Sequence, residues 1–144
     1  MVDEQIFHVG VKALISNSQG QILLLKADVS NHKTNVQPYW DIPGGRVQEG
    51  QSILDTLARE VEEEVGVDTN SRAPELVATI ISKHTIPVSE SLTVGLLLVV
   101  YRVFINDEAD IVLSPEHTEY EWVSASDAKQ RLSQKYPAEF TEQL

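Results

Sequence analysis

The segment Arg59-Glu60-Val61-Glu62-Glu63-Glu64-Val65-Gly66 decides the reading of this chain. Seven residues before it, Ser52 stands three positions ahead of Asp55, a capping-box pattern that opens a helix. Gly66 supplies the stop. Between the two, Leu54, Leu57, Ala58, Val61 and Val65 fall on one stripe when each residue turns about 100°. The spacing therefore predicts an amphipathic helix with that stripe on a core. On the same helix Glu60, Glu63 and Glu64 stand at i, i+3 and i+4 and share a face. Glu62 lies about 160° from the centre of that cluster and points away.

Acidic runs are usually solvated faces. Two physical points weigh against that reading here. Like charges at these spacings repel by tenths of a kcal/mol each. They also occupy the last turn, where the helix dipole prefers cations. A bound divalent cation reverses both penalties, and hard cations such as Mg²⁺ take carboxylates, waters and phosphate oxygens as ligands. Just upstream, Pro43-Gly44-Gly45-Arg46 reads as a loop that allows close backbone approach and offers carbonyl oxygens to a cation. A Gly-Gly pair alone is more often a tight turn. Ahead of a helix ending in clustered acids it is a more specific signal.

Working outward, Phe7 to Ile15 and Ile22 to Leu25 read as two strands joined by the turn Asn17-Ser18-Gln19-Gly20. Asp28 to Pro38 is polar and aperiodic, a loop. Leu76 to Ile86 and Leu92 to Ile105 read as two long strands. Tyr120 to Val123 reads as a short one, with Tyr120 and Trp122 on one face. Ser126 to Leu132 and Ala138 to Leu144 are expected as closing helices. The order β-β-α-β-β-β-α implies an α/β protein with a mixed sheet and helices packed on it.

The 144 residues suit one domain, expected to occupy 1–144. With 42% hydrophobic and 23% charged residues, the chain is not disordered. No cysteine is present, which excludes disulfides, a thiolate nucleophile and cysteine-bound zinc. The count fits a reducing compartment, and a cytoplasmic location is expected. No basic start followed by an apolar run marks a leader. The most apolar stretch, Leu92 to Ile105, is interrupted by Arg102 and falls short of the ~20 residues of a membrane helix. The net charge of −11 disfavours nucleic-acid polymers and anionic membranes, but not a small anion arriving with a metal ion.

Gly45, followed by Arg59-Glu60-Val61-Glu62-Glu63-Glu64-Val65-Gly66-Val67, resembles the Nudix box, G-x5-E-x7-R-E-U-x-E-E-x-G-U with U a bulky aliphatic. The box spans Gly45 to Val67, and its first Glu is Gln51 here. The resemblance implies the family's α/β/α sandwich and hydrolysis of a nucleoside diphosphate linked to another group. It implies Mg²⁺ or Mn²⁺ as cofactor, with Glu63 and Glu64 as ligands. Glu60 would be a ligand or the base that activates water. The carbonyl of Gly44 or Gly45 would complete the shell, and Arg59 would orient the acids. The partner would be a small-molecule nucleotide, and the family leaves room for a homodimer. In the family the position of Gln51 mainly supports the ligands; Gln keeps hydrogen bonding but loses a charge. That motivates a rival reading, a Nudix-like nucleotide-binding or regulatory domain with weak or no hydrolysis.

Family members often add one late acid from a loop. Glu116, six residues before Trp122, is the first choice, ahead of Glu119. Arg46 is expected to contact phosphate, whereas Lys33 reads as solvated surface. Tyr39 and Trp40 read as packing residues first, with stacking on a base as the alternative. His8, His32, His84 and His117 lack ligand spacing and read as structural or exposed, with His84 and His117 the two that fit beside a site.

Overall fold

The computed structural model describes residues 3–30, 37–69, 72–106 and 109–144. Strand β1 (Phe7–Ser16) and β2 (Ile22–Ala27) flank the expected turn, where Gly20 adopts a φ of 76°. Then come β3 (Trp40–Asp41), β4 (Gly44–Arg46), α1 (Ile53–Val65), β5 (Glu75–Ile81), β6 (Ile86–Pro87), β7 (Thr93–Phe104) and β8 (His117–Val123). The chain closes with α2 (Ala125–Leu132) and α3 (Ala138–Thr141). His32 and Lys33, and most of the polar loop around them, lie outside the described residues.

The central strand order is β3-β2-β1-β7-β5. β1 and β7 run parallel and the other pairings are antiparallel, so the sheet is mixed as expected. Helices cover both faces. On one, Leu57, Val61 and Val65 of α1 pack with Val11, Ala13 and Leu23. On the other, Ala128 and Leu132 of α2 with Tyr136 and Phe140 pack on Leu14, Leu24 and Val100. This is the α/β/α sandwich. No described helix is long and apolar enough to cross a membrane.

Several elements differ from expectation. Gly44–Arg46 is not a loop but a strand on β1, with Gly45 opposite Val11. Its pairing partner lies over 30 residues away in sequence, which a local glycine signal does not reveal. The long strand expected over Leu76 to Ile86 breaks into β5 and β6. β8 begins at His117 rather than Tyr120, and α3 is shorter than Ala138 to Leu144. Leu54 is 49% exposed, because the apolar stripe centres on Leu57, Val61 and Val65 and Leu54 sits at its edge in the first turn.

One topological feature creates the site. β1 and β2 pair only at Ser16 and Ile22. Beyond that point β1 takes β4 as its neighbour, while β2 takes β8 and β3. The sheet forks, and the opening is lined by side chains from β1, β3, α1 and the segment before β8.

Candidate active site

Helix α1 is capped as its sequence dictates. Ser52 Oγ accepts the Asp55 N–H at 3.0 Å, and Gly66, at φ 72°, donates its N–H to the Glu62 carbonyl at 2.9 Å. No basic side chain occupies the last turn. The helix face carries Glu60 and Glu64 toward β4. The Gly44 N–H donates to Glu64 Oε2 at 2.7 Å. A Cβ on Gly45 would stand 2.3 Å from Glu60 Oε1, so the absence of a side chain at that position makes room for this acid. Gly44 is equally confined, because a Cβ there would meet the Val11 carbonyl oxygen at 2.1 Å.

The segment after residue 108 is tied to the end of α1. The N–H groups of Val112 and Ser114 donate to the carbonyls of Val65 and Glu64. This brings Glu116 to Glu64. Glu64, Glu116 and His117 each offer a ligand atom, all within 4.8 Å of one another. Glu64 is only 6% exposed. Burial pushes its carboxyl up to about 8; Gly44 and Lys12 oppose this, and Glu116 and Glu60 add to it. Burial likewise raises Glu60, and it lowers His117. His117 Nδ1 is buried without a hydrogen-bond partner among the described residues. Converging carboxylates with an unsatisfied ring nitrogen fit a divalent cation. His117 thus lies in the cluster, as one of the two histidines that fit beside a site, although its spacing reads as structural or exposed. Glu119 turns elsewhere, to Lys26 at 2.9 Å.

Arg59 ties the remaining acids together. Its Nη2 lies 3.2 Å from Glu60 Oε1 and its Nη1 3.8 Å from Glu63 Oε1. Nη2 also donates to Gln51 Oε1 at 3.2 Å, and Thr56 Oγ1 donates to the same oxygen at 3.3 Å. Gln51 therefore holds the arginine by its amide oxygen. Glu60 and Glu63 share the helix face with Glu64 but engage Arg59, and Glu63 is exposed. Glu62 is exposed.

Two cavities meet at the fork. One of about 460 Å³ is lined by Glu64, Glu116, His117, Asp41 and Lys12. The other, about 710 Å³, is lined by Lys12, Arg46, His84, Leu96, Leu98 and Lys135, among others. Tyr39 borders both, while Trp40 packs against the core as expected. Lys12, Asp41 and Lys135 carry no motif or spacing in the sequence that marks them as site residues. The available signal is a lysine set between apolar neighbours, Val11 and Ala13, in β1.

A family model described as NUDIX domain matches residues 6–144. The chain belongs to the Nudix hydrolase family. Among solved structures it is similar to the MutT protein from Methanosarcina mazei Go1. The two are 31% identical with a TM-score of 0.69, over 99% of this chain and 93% of that one. It is also 36% identical over 67 residues to an RNA pyrophosphohydrolase of Psychrobacter sp. (strain PRwf-1), covering 46% of this chain and 35% of the relative. A putative 8-oxo-dGTP diphosphatase of Bacillus subtilis (strain 168) is 41% identical over 58 residues, covering 40% and 34%. The matched segments span between 17% and 35% of the lengths of such curated relatives. In Nudix terms, the box runs from β4 through α1.

The Asp41 carboxylate makes its own prediction. It is 5% exposed and accepts the Ile42 N–H, the Tyr136 hydroxyl and the ammonium groups of Lys12 and Lys135. Burial pushes it up, but the two lysines and Tyr136 outweigh burial and hold it at about 2. A folded value below the unfolded one gives stability that is complete above about pH 4 and lost as pH falls toward 2. Asp41→Asn is expected to cost about 1–3 kcal/mol at neutral pH by removing the charge of a buried acceptor that holds two half-buried ammonium groups. It should also flatten the acid limb of stability against pH, measured by urea unfolding from pH 2 to 7.

Proposed function

We infer that this chain is one Nudix domain over 1–144 that hydrolyses the diphosphate linkage of a soluble nucleoside diphosphate derivative. The candidates are a nucleoside triphosphate, ADP-ribose, a nucleotide sugar and a dinucleoside polyphosphate. The names of the relatives, a pyrophosphohydrolase and a diphosphatase, agree with that class. The observation that carries the reading is the convergence of the buried Glu64 with Glu116 and His117 at the cavity surface, beside the Gly44 N–H.

Glu60, Glu63, Glu64 and Glu116 would hold Mg²⁺ or Mn²⁺, together with the carbonyl of Gly44. The β4 register favours Gly44 over Gly45. Pro43 and residue 47 bond to β1 (Ala13 N–H to Pro43 O, Val47 N–H to Val9 O), and alternate residues of an antiparallel strand repeat that orientation. Gly45 therefore faces β1, whereas Gly44 faces α1, as its N–H to Glu64 requires. When bound, the cation neutralises phosphate oxygens and polarises water. Arg59 keeps Glu60 and Glu63 in place. Glu60, raised by burial, accepts a proton from water at its carboxylate. Arg46, exposed at the rim of the larger cavity, contacts substrate phosphate. The protein acts in the cytoplasm on small nucleotides rather than polymers. Gln51, which motivates a binding-only domain, retains the supporting bond to Arg59 and is compatible with turnover.

The test is incubation with a panel of these nucleotides and Mg²⁺, with products identified by ³¹P NMR. Cleavage at a diphosphate linkage supports hydrolysis, and tight binding without turnover supports the rival. On any substrate cleaved, Glu116→Gln is expected to lower turnover by about 10–100-fold or more, and Glu119→Gln by no more than about threefold. The reverse order would move the late acid to Glu119.

A further inference from the structure

We propose that Lys12 and Lys135 form a paired ammonium clamp for substrate phosphate where the two cavities meet, with Asp41 as the positioning residue that holds them. The inference rests on the hydrolase reading and adds residues outside the Nudix box.

Two observations carry it. The first is a local inversion of charge. The chain has 22 acidic residues against 11 basic ones. Yet the described residues lining the 710 Å³ cavity include Lys12, Arg46 and Lys135 and no carboxylate. Its walls include the apolar side chains of Ile86, Pro87, Leu96 and Leu98. A cationic cavity with apolar walls on an acidic protein suits an anion carrying a less polar group.

The second observation is a surplus cation. One ammonium balances the charge of a buried carboxylate, but Asp41 binds two. Lys12 Nζ lies 3.4 Å from Oδ2, and Lys135 Nζ donates to the same oxygen. The other carboxylate oxygen, Oδ1, is taken by Ile42 N–H and the Tyr136 hydroxyl. Two ammonium groups on one oxygen are therefore brought side by side, with one positive charge more than Asp41 itself balances; Lys12 faces Glu64 as well, and Lys135 faces the cavity without carboxylates. Lys12 also donates to the Ile42 carbonyl at 3.2 Å. An ammonium has three N–H donors, so Lys12 keeps one for a ligand and Lys135 keeps two. Lys12 borders both cavities, so the pair sits between the acidic cluster and the groove. A phosphate chain lying across that junction meets the carboxylate-bound side at one end and the clamp at the other. Charge-assisted donors of this kind are the strong ones for phosphate oxygens.

The experiment is calorimetric titration of the full chain with methylenediphosphonate, a non-hydrolysable diphosphate, in Mg²⁺. Wild type is expected to bind, and Lys135→Gln to weaken binding about tenfold or more. Lys135→Arg should retain most of the affinity. Asp41→Asn should lose affinity as Lys135→Gln does. Tyr136→Phe, which removes a bond to the same carboxylate but neither ammonium, should lower the melting temperature and leave affinity in place. Lys129→Gln, on the exposed side of α2, is the control and should change nothing. If Asp41→Asn does not fold, the partly exposed Lys135 carries the test. On any substrate turned over, the Lys135→Gln loss should fall on KM more than on kcat, and this split decides if wild type turns over but does not bind the probe. Unchanged affinity and KM in Lys135→Gln would overturn the clamp and leave the hydrolase reading standing. Absence of both probe binding and turnover in wild type would overturn both.

Discussion

Glu64→Gln is expected to lower turnover at least about a hundredfold at saturating Mg²⁺, while Glu62→Gln stays within about threefold of wild type. The floor follows from the cost of lesser changes: removing a group that only orients a metal ligand typically loses about 10–100-fold. Glu64 is placed to be a ligand itself. It is buried, its Oε2 is fixed by the Gly44 N–H at 2.7 Å, and Glu116 faces it. Glutamine keeps the shape and one acceptor oxygen but removes the negative charge. Glu63→Gln should fall on the same side as Glu64. Glu63 is exposed, 3.8 Å from Arg59, and can turn toward a cation on the shared face. Glu62 is two residues from Glu60 and Glu64 yet points to solvent. An acidic face serving only solubility predicts no contrast among the three. Steady-state rates on one cleaved substrate, with each variant checked for folding by circular dichroism, decide between the two accounts.

Adding Mg²⁺ to about a hundred times its Kd is expected to raise the melting temperature by on the order of 5–10 °C. The rise should be larger at pH 8 than at pH 6. Glu64 explains the direction. Its folded pKa of about 8 lies above the ordinary carboxylate value of 4.5, so the folded, metal-free chain holds a proton that the unfolded chain releases. The stability linked to that proton is complete below about pH 4.5 and is lost as pH rises toward 8. A cation takes the place of the proton and is favoured as the carboxylate ionises. Metal-free Glu64→Gln should accordingly be as stable as wild type or more so at pH 8. Differential scanning fluorimetry with and without chelator reads these shifts. A melting temperature indifferent to Mg²⁺ at both pH values would remove the cation from the acidic site.

Local chemistry was legible and long-range pairing was not. Helix α1 was read to its caps because Ser52 and Gly66 act on neighbouring backbone groups. The face shared by Glu60 and Glu64 followed from helical geometry alone. Glu116 is suggested in sequence only by its resemblance to a late family acid, and the N–H bonds of Val112 and Ser114 to the end of α1 explain its position. Gly44–Arg46 reads as a loop in sequence because glycine marks backbone freedom and does not say where a strand pairs. His117 lacks ligand spacing because Glu64, which it meets in space, is far away in sequence. The same holds for Asp41, which meets Lys135 across 94 residues. Such contacts arise from the fork between β1 and β2, a property of the assembled sheet. Leu54 shows the limit of periodicity at a helix end, where the stripe continues but the core does not.

The claim on which the rest depends is that the acidic face of α1 binds a divalent cation through Glu64. Manganese gives the most direct reading, because free Mn²⁺ has a sharp electron paramagnetic resonance signal that is lost on binding. Titrating wild type, Glu62→Gln and Glu64→Gln with Mn²⁺ at pH 8 should show saturable loss of the free signal in the first two. Binding in Glu64→Gln should be weaker by about tenfold or more. Equal Mn²⁺ binding in wild type and Glu64→Gln, or none in wild type, would contradict the account.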